Sequence, residues 1–167
     1  RAANSIHAKP PEAIVTQSTL NIRRATAKDT LTLAHFNIAM ARETEDHALD
    51  PETVRAGVAR LFDQPEQGFY LVVESEGSIV GSLMITQEWS DWRDGLWWWI
   101  QSVYVSPTFR RKGVFSALYR EVNTLARQEK QVCGLRLYVE KDNTAAQQVY
   151  EQMGMIQTPY RVYEQLF

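Results

Sequence analysis

Cysteine is almost missing from this sequence. Cys133 stands alone, which excludes an intrachain disulfide and any cysteine-rich zinc site. Its own expected place is a buried one, as a small hydrophobe between two elements. The three histidines, His7, His35 and His47, show no metal-ligand spacing, so no metal site is expected. An excess of positive charge is also lacking: 18 lysines and arginines face 20 aspartates and glutamates, a formal net charge of −2. General attraction to a phosphate backbone calls for the opposite balance, so nucleic acid is not an expected partner. No apolar run approaches the roughly 18 residues that cross a bilayer; 69–73 and 96–100 are far shorter, and no membrane association is expected. Residues 1–17 have no apolar core and contain Pro10-Pro11, unlike a signal peptide; a reducing, cytoplasmic setting follows as the expectation. A nucleophile elbow, a Gly-Lys-Ser/Thr phosphate loop and a Gly-x-Gly-x-x-Gly turn are all absent, which argues against hydrolase and dinucleotide-binding readings.

What is present fits one ordinary domain. The chain has 167 residues, 44% hydrophobic and 23% charged, close to globular averages. Residues 1–18 are expected to form a flexible segment and 19–167 a single domain. Residues 20–24 alternate as a short strand does. Leu31, Ala34, Ile38 and Ala41 recur at helical spacing after Asp29. A second helix has Asp50 to cap it, Pro51 in its first turn and an apolar face of Val54, Val58, Leu61 and Phe62. Strands are expected over 69–74, 79–86 and 96–105, the first two joined at Gly77. Phe115, Leu118, Tyr119, Val122, Leu125 and Ala126 mark the strongest helix. A strand over 135–140, a short helix closed by Gly154 and a last strand over 156–167 complete the pattern. Antiparallel strands followed by alternating units predict an α/β fold, a mixed sheet with helices on its faces.

The junction from Val103 through Tyr104 and Val105 to Ser116 carries the chemical signal. An apolar strand runs into a basic loop, Arg110-Arg111-Lys112-Gly113, that opens directly into the amphipathic helix through Val114, Phe115 and Ser116. Unsatisfied N–H groups and the partial positive charge of a helix start suit a pyrophosphate there. Glycine permits close backbone approach, and the three cations add attraction. The same residues also suit an ordinary solvated loop.

This loop resembles the acetyl-CoA signature of the GNAT superfamily of N-acetyltransferases, Arg/Gln-x-x-Gly-x-Gly/Ala after the fourth strand. It matches at Arg110 and Gly113 and departs at Phe115, where the family has a small residue. Residues 143–155 resemble the family's Asn-x-x-Ala-x-x-x-Tyr-x-x-x-Gly-Phe segment through Asn143, Ala146, Tyr150 and Gly154, with Met155 in place of Phe. The resemblance spans about residues 20–167 and implies the GNAT fold, a central mixed sheet flanked by about four helices. It further implies acetyl-CoA as co-substrate and transfer to a primary amine, of a small molecule or a protein, by direct attack in a ternary complex. By the same resemblance Tyr150 is the general acid to the CoA sulfur. Asn143 caps the last helix or contacts the pantetheine arm. The backbone of a bulged fourth strand at Val103 and Val105 pairs with pantetheine, with the Val103 N–H as oxyanion donor. The alternative on this fold is an acyl-CoA-binding sensor or interaction module without turnover; transfer of a longer acyl group is a third.

An alkyl ammonium titrates near 10.4 and a thiol near 8.5, so amine acylation needs a proton acceptor and gains from an acid at the leaving sulfur. The predicted fourth strand has no carboxylate. Glu88 is the first candidate for the base, followed by Asp91 and Asp94; each reads more readily as a solvated turn charge, and bulk solvent reached through a water chain is the alternative acceptor. All five tryptophans lie between Trp89 and Trp99. Trp98 belongs to the opposite strand face from Trp97 and Trp99, while Trp89, Trp92 and Trp99 could wall an acceptor pocket. Glu43, with Glu45 and Asp46, would suit a cationic amine. An exposed strand edge near the end of the sequence could support a homodimer.

Overall fold

The computed structural model describes residues 20–167; the proposed flexible segment lies outside them. In chain order the elements are β1 (Asn21–Arg24), α1 (Thr30–Glu45), α2 (Pro51–Asp63), β2 (Gly68–Ser75), β3 (Ser78–Ser90), β4 (Gly95–Val105), α3 (Val114–Gln128), β5 (Val132–Arg136) and α4 (Thr144–Gln152). One sheet runs β1-β2-β3-β4-β5. Its first three pairings are antiparallel and β4 pairs β5 in parallel, because α3 carries the chain back to the starting edge before β5 begins. The α/β mixed sheet with four helices is the architecture expected from the sequence.

Local chemistry sets the elements. Asp50 accepts from the Thr53 N–H at 2.8 Å at the head of α2, and Pro51 fills the first turn. Glu76 and Gly77, both at positive φ (51° and 79°), make the two-residue turn that pairs Ser75 with Ser78. Helix α3 buries Val114, Leu118, Tyr119, Val122 and Ala126 against Leu71, Val73, Leu83, Ile85, Trp98 and Ile100 on one face of the sheet. Each fully buried valine, leucine or isoleucine among them contributes about 1.5–3 kcal/mol. Leu33, Ala34 and Val58 from α1 and α2 cover the other face over Tyr70 and Val72. Arg23 on β1 bonds both Asp29, at 2.8 Å, and Glu74, at 2.7 Å, tying the edge strand to β2 and to the turn that starts α1.

Four sequence readings are corrected. Strand β3 extends to Ser90, because the aromatic start of β4 gives it partners: Gln87 faces Trp98, Glu88 faces Trp97 and Trp89 faces Leu96. Trp89 is therefore a strand residue, not a loop residue. Strand β5 occupies Val132–Arg136 rather than 135–140. Cys133 is exposed, not buried. Leu96 pairs with Val132 and Trp97 with Gly134, so Cys133 is the extra residue of a bulge and is turned outward. Finally, residues 156–167 form no strand and are exposed throughout, having no ladder to join.

Candidate functional site

The site begins with a bulge in β4. Ser82 pairs with Tyr104 and Met84 with Gln101, so two residues of β4, Ser102 and Val103, oppose one of β3. Ser102 takes φ 49°, a left-handed conformation costing about 1–2 kcal/mol outside glycine. The extra residue reverses the side-chain parity. Before it, Trp98 and Ile100 face α3; after it, Val103 and Val105 do so, and Tyr104 turns to α1, its ring 4.7 Å from that of Phe36. The β4–β5 ladder runs only from Leu96 to Trp99, so the two parallel strands separate just before the bulge. Beyond Trp99 the β4 backbone has no β5 ladder.

That splayed strand delivers the chain to the basic loop. Pro107–Phe109 form one 3-10 turn, then Arg111 at φ 60° and Gly113 at φ 78° turn the backbone twice into the left-handed region. The first helical bond of α3 runs from the Ala117 N–H to the Gly113 carbonyl at 2.9 Å. The N–H groups of Val114, Phe115 and Ser116 thus lie ahead of the helical ladder, and no side chain caps them. Val114 is 2% exposed and anchors the turn against Gly81. A Cβ on Gly113 would meet no atom of the chain within 4 Å, so the turn is open on that side. Arg111 and Lys112 are exposed, with the Lys112 Nζ 5.4 Å from the Phe109 ring. Arg110 has other partners: its Nε donates to the Val105 carbonyl at 2.8 Å and its Nη2 meets Glu43 at 2.5 Å.

Two groups of side chains occupy the α1 side of the sheet. In the first, Glu43 bridges Arg110 and the Tyr104 hydroxyl, the latter at 3.4 Å. Burial, then the Glu43 charge, push the Tyr104 hydroxyl above its ordinary value. In the second, Glu88 accepts from the Trp99 indole N–H and from Arg136 at 2.8 Å. The Arg136 guanidinium lies 4.1 Å from the Trp97 ring centre, and Trp99 is 6.1 Å from Tyr138. Arg136 and Tyr138 were not singled out from the sequence; the parallel register that sets Arg136 against Trp99 is a long-range property.

Helix α4 supplies the third part. Asn143 caps it, accepting from the Ala146 N–H at 3.1 Å. Tyr150 is half-buried, edge-on to Phe115 with ring centres 5.8 Å apart. Phe115, the departure from the family signature, is thus the contact that fixes the tyrosine. Burial raises the Tyr150 hydroxyl above its ordinary value. The ring lines a cleft of about 250 Å³ with Leu137, Val139, Met155 and Ile156.

The fold therefore joins the Gly113 loop to Tyr150 through Phe115, Glu43 to Arg110 and Tyr104, and Glu88 to Trp99. It leaves other residues apart. Trp89 and Trp92 are 58% and 85% exposed; Trp89 faces Leu96, nine residues and about 30 Å along β4 from Val105. Asp91 and Asp94 lie in the exposed β3–β4 turn, and Glu45 and Asp46 are exposed at the end of α1. Among the described residues no cluster of His, Cys, Asp or Glu is arranged to hold a metal ion, and no helix is long and apolar enough to cross a membrane.

The acetyltransferase (GNAT) family model matches residues 33–155. No curated protein matches. A solved structure of a possible acetyltransferase from Clostridium difficile 630 is 39% identical, with a TM-score of 0.83, and the match covers 89% of this chain and 97% of that one. A predicted acetyltransferase with acetyl-CoA from Clostridium acetobutylicum shares the fold at 16% identity, TM-score 0.73 and coverages of 88% and 96%. So does a ribosomal-protein-alanine N-acetyltransferase from Brucella melitensis biovar Abortus 2308, at 17%, 0.71, 89% and 99%. Two motifs in their expected places, a family match over most of the described residues and a 39% identical relative agree: the chain belongs to the GNAT acetyltransferase family.

Proposed function

We propose that this protein transfers an acetyl group from acetyl-CoA to a primary amine, carried by a small molecule or a protein, by direct attack in a ternary complex. The observation that supports the reading is the uncapped start of α3, where left-handed Arg111 and Gly113 lead into a helix whose first N–H groups, those of Val114, Phe115 and Ser116, precede the helical ladder. That donor set fits a pyrophosphate, and exposed Arg111 and Lys112 add charge attraction. When bound, the thioester supplies the electrophilic acyl carbon and a thiolate leaving group.

The chain's own groups do the rest. The splayed β4 backbone from Val103 to Val105 runs alongside the pantetheine arm, and the Val103 N–H donates to the negative charge developing on the acyl oxygen. Asn143, already the α4 cap, offers its amide to the same arm. Tyr150, held protonated by burial, donates its proton to the departing sulfur. Glu88 accepts the proton lost by the amine; each of its oxygens has one donor partner and keeps a further lone pair. Glu43 and Trp99 line the acceptor side.

The test is acceptor-dependent release of free CoA thiol across an amine panel, comparing wild type with Tyr150→Phe. The expected result is release with at least one amine and a loss of tenfold or more in the variant. An unchanged rate removes Tyr150 from the acid role. Tight CoA binding with no product from any amine replaces the enzyme with a CoA-binding module.

A further inference from the structure

Three neighbouring strands gather one arginine, one carboxylate and two indoles. Glu88 on β3 faces Trp97, and Arg136 on β5 faces Trp99, so the four side chains share the sheet face opposite to Trp98. Gly134 precedes Arg136 by two residues on that face, and a Cβ there would lie 2.4 Å from the Trp97 ring. The missing side chain lets this indole lie across β5, beside the arginine. The Arg136 guanidinium ends 4.1 Å from the Trp97 ring centre and 5.9 Å from that of Trp99.

The guanidinium is held in place but not saturated. Such a group offers five N–H donors in a planar fork and a permanent positive charge. Nη1 donates to the Glu88 carboxylate at 2.8 Å, and the other donors meet no acceptor among the described residues. The Arg136 side chain is 33% exposed. Contact with the indoles restrains the guanidinium and leaves N–H groups for a second, bidentate partner. The β4–β5 ladder ends at Trp99 and Arg136, so the fork stands where the two strands begin to part.

We propose that Arg136 binds the carboxylate of the acceptor, so that the amine acetylated belongs to an amino acid or another small molecule carrying a carboxylate. This rests on the proposed acetyl transfer and names the acceptor class. Charge complementarity carries it. Glu88 and Arg136 satisfy one another in the free protein; a zwitterion adds its ammonium to Glu88 and its carboxylate to the unused Arg136 donors. The ammonium then stands against the carboxylate that takes its proton. A phosphate fits less well, because its second negative charge meets Glu88. A plain alkylamine or a polyamine leaves the fork unfilled.

Initial rates of CoA thiol release test this on matched acceptors, each amino acid beside its carboxamide and the amine that lacks the carboxyl group. The wild type is expected to favour the acid by about tenfold or more in kcat/KM. Arg136→Ala is expected to cut that preference to about twofold or less, acting through the acceptor KM and leaving the KM for acetyl-CoA unchanged. Arg136→Lys, which keeps the charge and loses the fork, is expected to recover only part of it. Circular dichroism checks the fold of each variant; should the alanine variant not fold, the wild-type ratio and the lysine variant decide. A wild type that uses amides and plain amines as well as acids overturns the proposal and leaves acetyl transfer standing. So does an Arg136→Ala variant that slows acids and amides equally, as a purely structural arginine would, or one that keeps the preference. Release with no acceptor at all overturns acetyl transfer and this proposal together.

Discussion

In the proposed reaction Tyr150 is the acid to the leaving sulfur. Burial holds it above the ordinary tyrosine value near 10, so it gives up its proton at a higher pH than a free tyrosine does. Turnover limited by this acid falls above that pH. Tyr150→Phe is expected to lower kcat by tenfold to a hundredfold with the KM for acetyl-CoA within about twofold, and to abolish the alkaline fall-off in the pH profile. Gly113 makes a different kind of demand. Its φ of 78° is one that L side chains rarely adopt, yet nothing of the chain would clash with a Cβ. Gly113→Ala should therefore cost only about 1 kcal/mol of stability while raising the KM for acetyl-CoA tenfold or more; thermal melting and initial rates separate the two effects. The glycine and the tyrosine were both legible as residues in motifs. Phe115 was legible only as a misfit, since its contact with Tyr150 joins two helices that the sequence cannot set side by side.

At the scale of elements, the two bulges decide most of what strand periodicity alone misreads. An uninterrupted alternation through β4 would give Trp98, Ile100, Ser102 and Tyr104 one face. The left-handed Ser102 breaks it, returning Tyr104 to the α1 side and Val103 to the α3 side. Ser102→Val, a β-branched residue at positive φ, is expected to destabilise by about 1–2 kcal/mol, whereas Ser102→Gly is expected to be near neutral; denaturant midpoints test both. In β5 the bulge exposes Cys133 and sets Gly134 under the Trp97 ring, where a Cβ would lie 2.4 Å from the indole. The first strand depends on charge. Arg23 holds the buried Asp29 carboxyl below its usual range. The resulting stability is fully present above the unfolded value near 3.9 and is lost as pH falls through the lower folded value. Asp29→Asn is expected to cost about 1–3 kcal/mol, less than a fully buried pair because Arg23 is a third exposed, and to flatten the acid limb of the stability curve.

Over the whole molecule a net charge of −2 coexists with a basic loop. Arg110 is paired to Glu43, so Arg111 and Lys112 remain to attract an anion. The KM for acetyl-CoA is expected to rise with salt, and Arg111→Ala with Lys112→Ala to weaken that dependence in rates measured from low to physiological ionic strength. The sequence by itself determined the helices, the β2–β3 hairpin, the basic strand-to-helix junction and the family, because caps, turns, periodicity and motif spacing are local and leave their residues close together in the chain. Only the tertiary structure decided where β3 and β5 end, which face Tyr104 presents, that Glu88 meets Arg136 and Trp99, and that Arg110 turns to Glu43. Those outcomes depend on strand register and on partners up to 67 residues away, and long-range pairing is settled by packing free energy across the fold rather than by the spacing of residues along it.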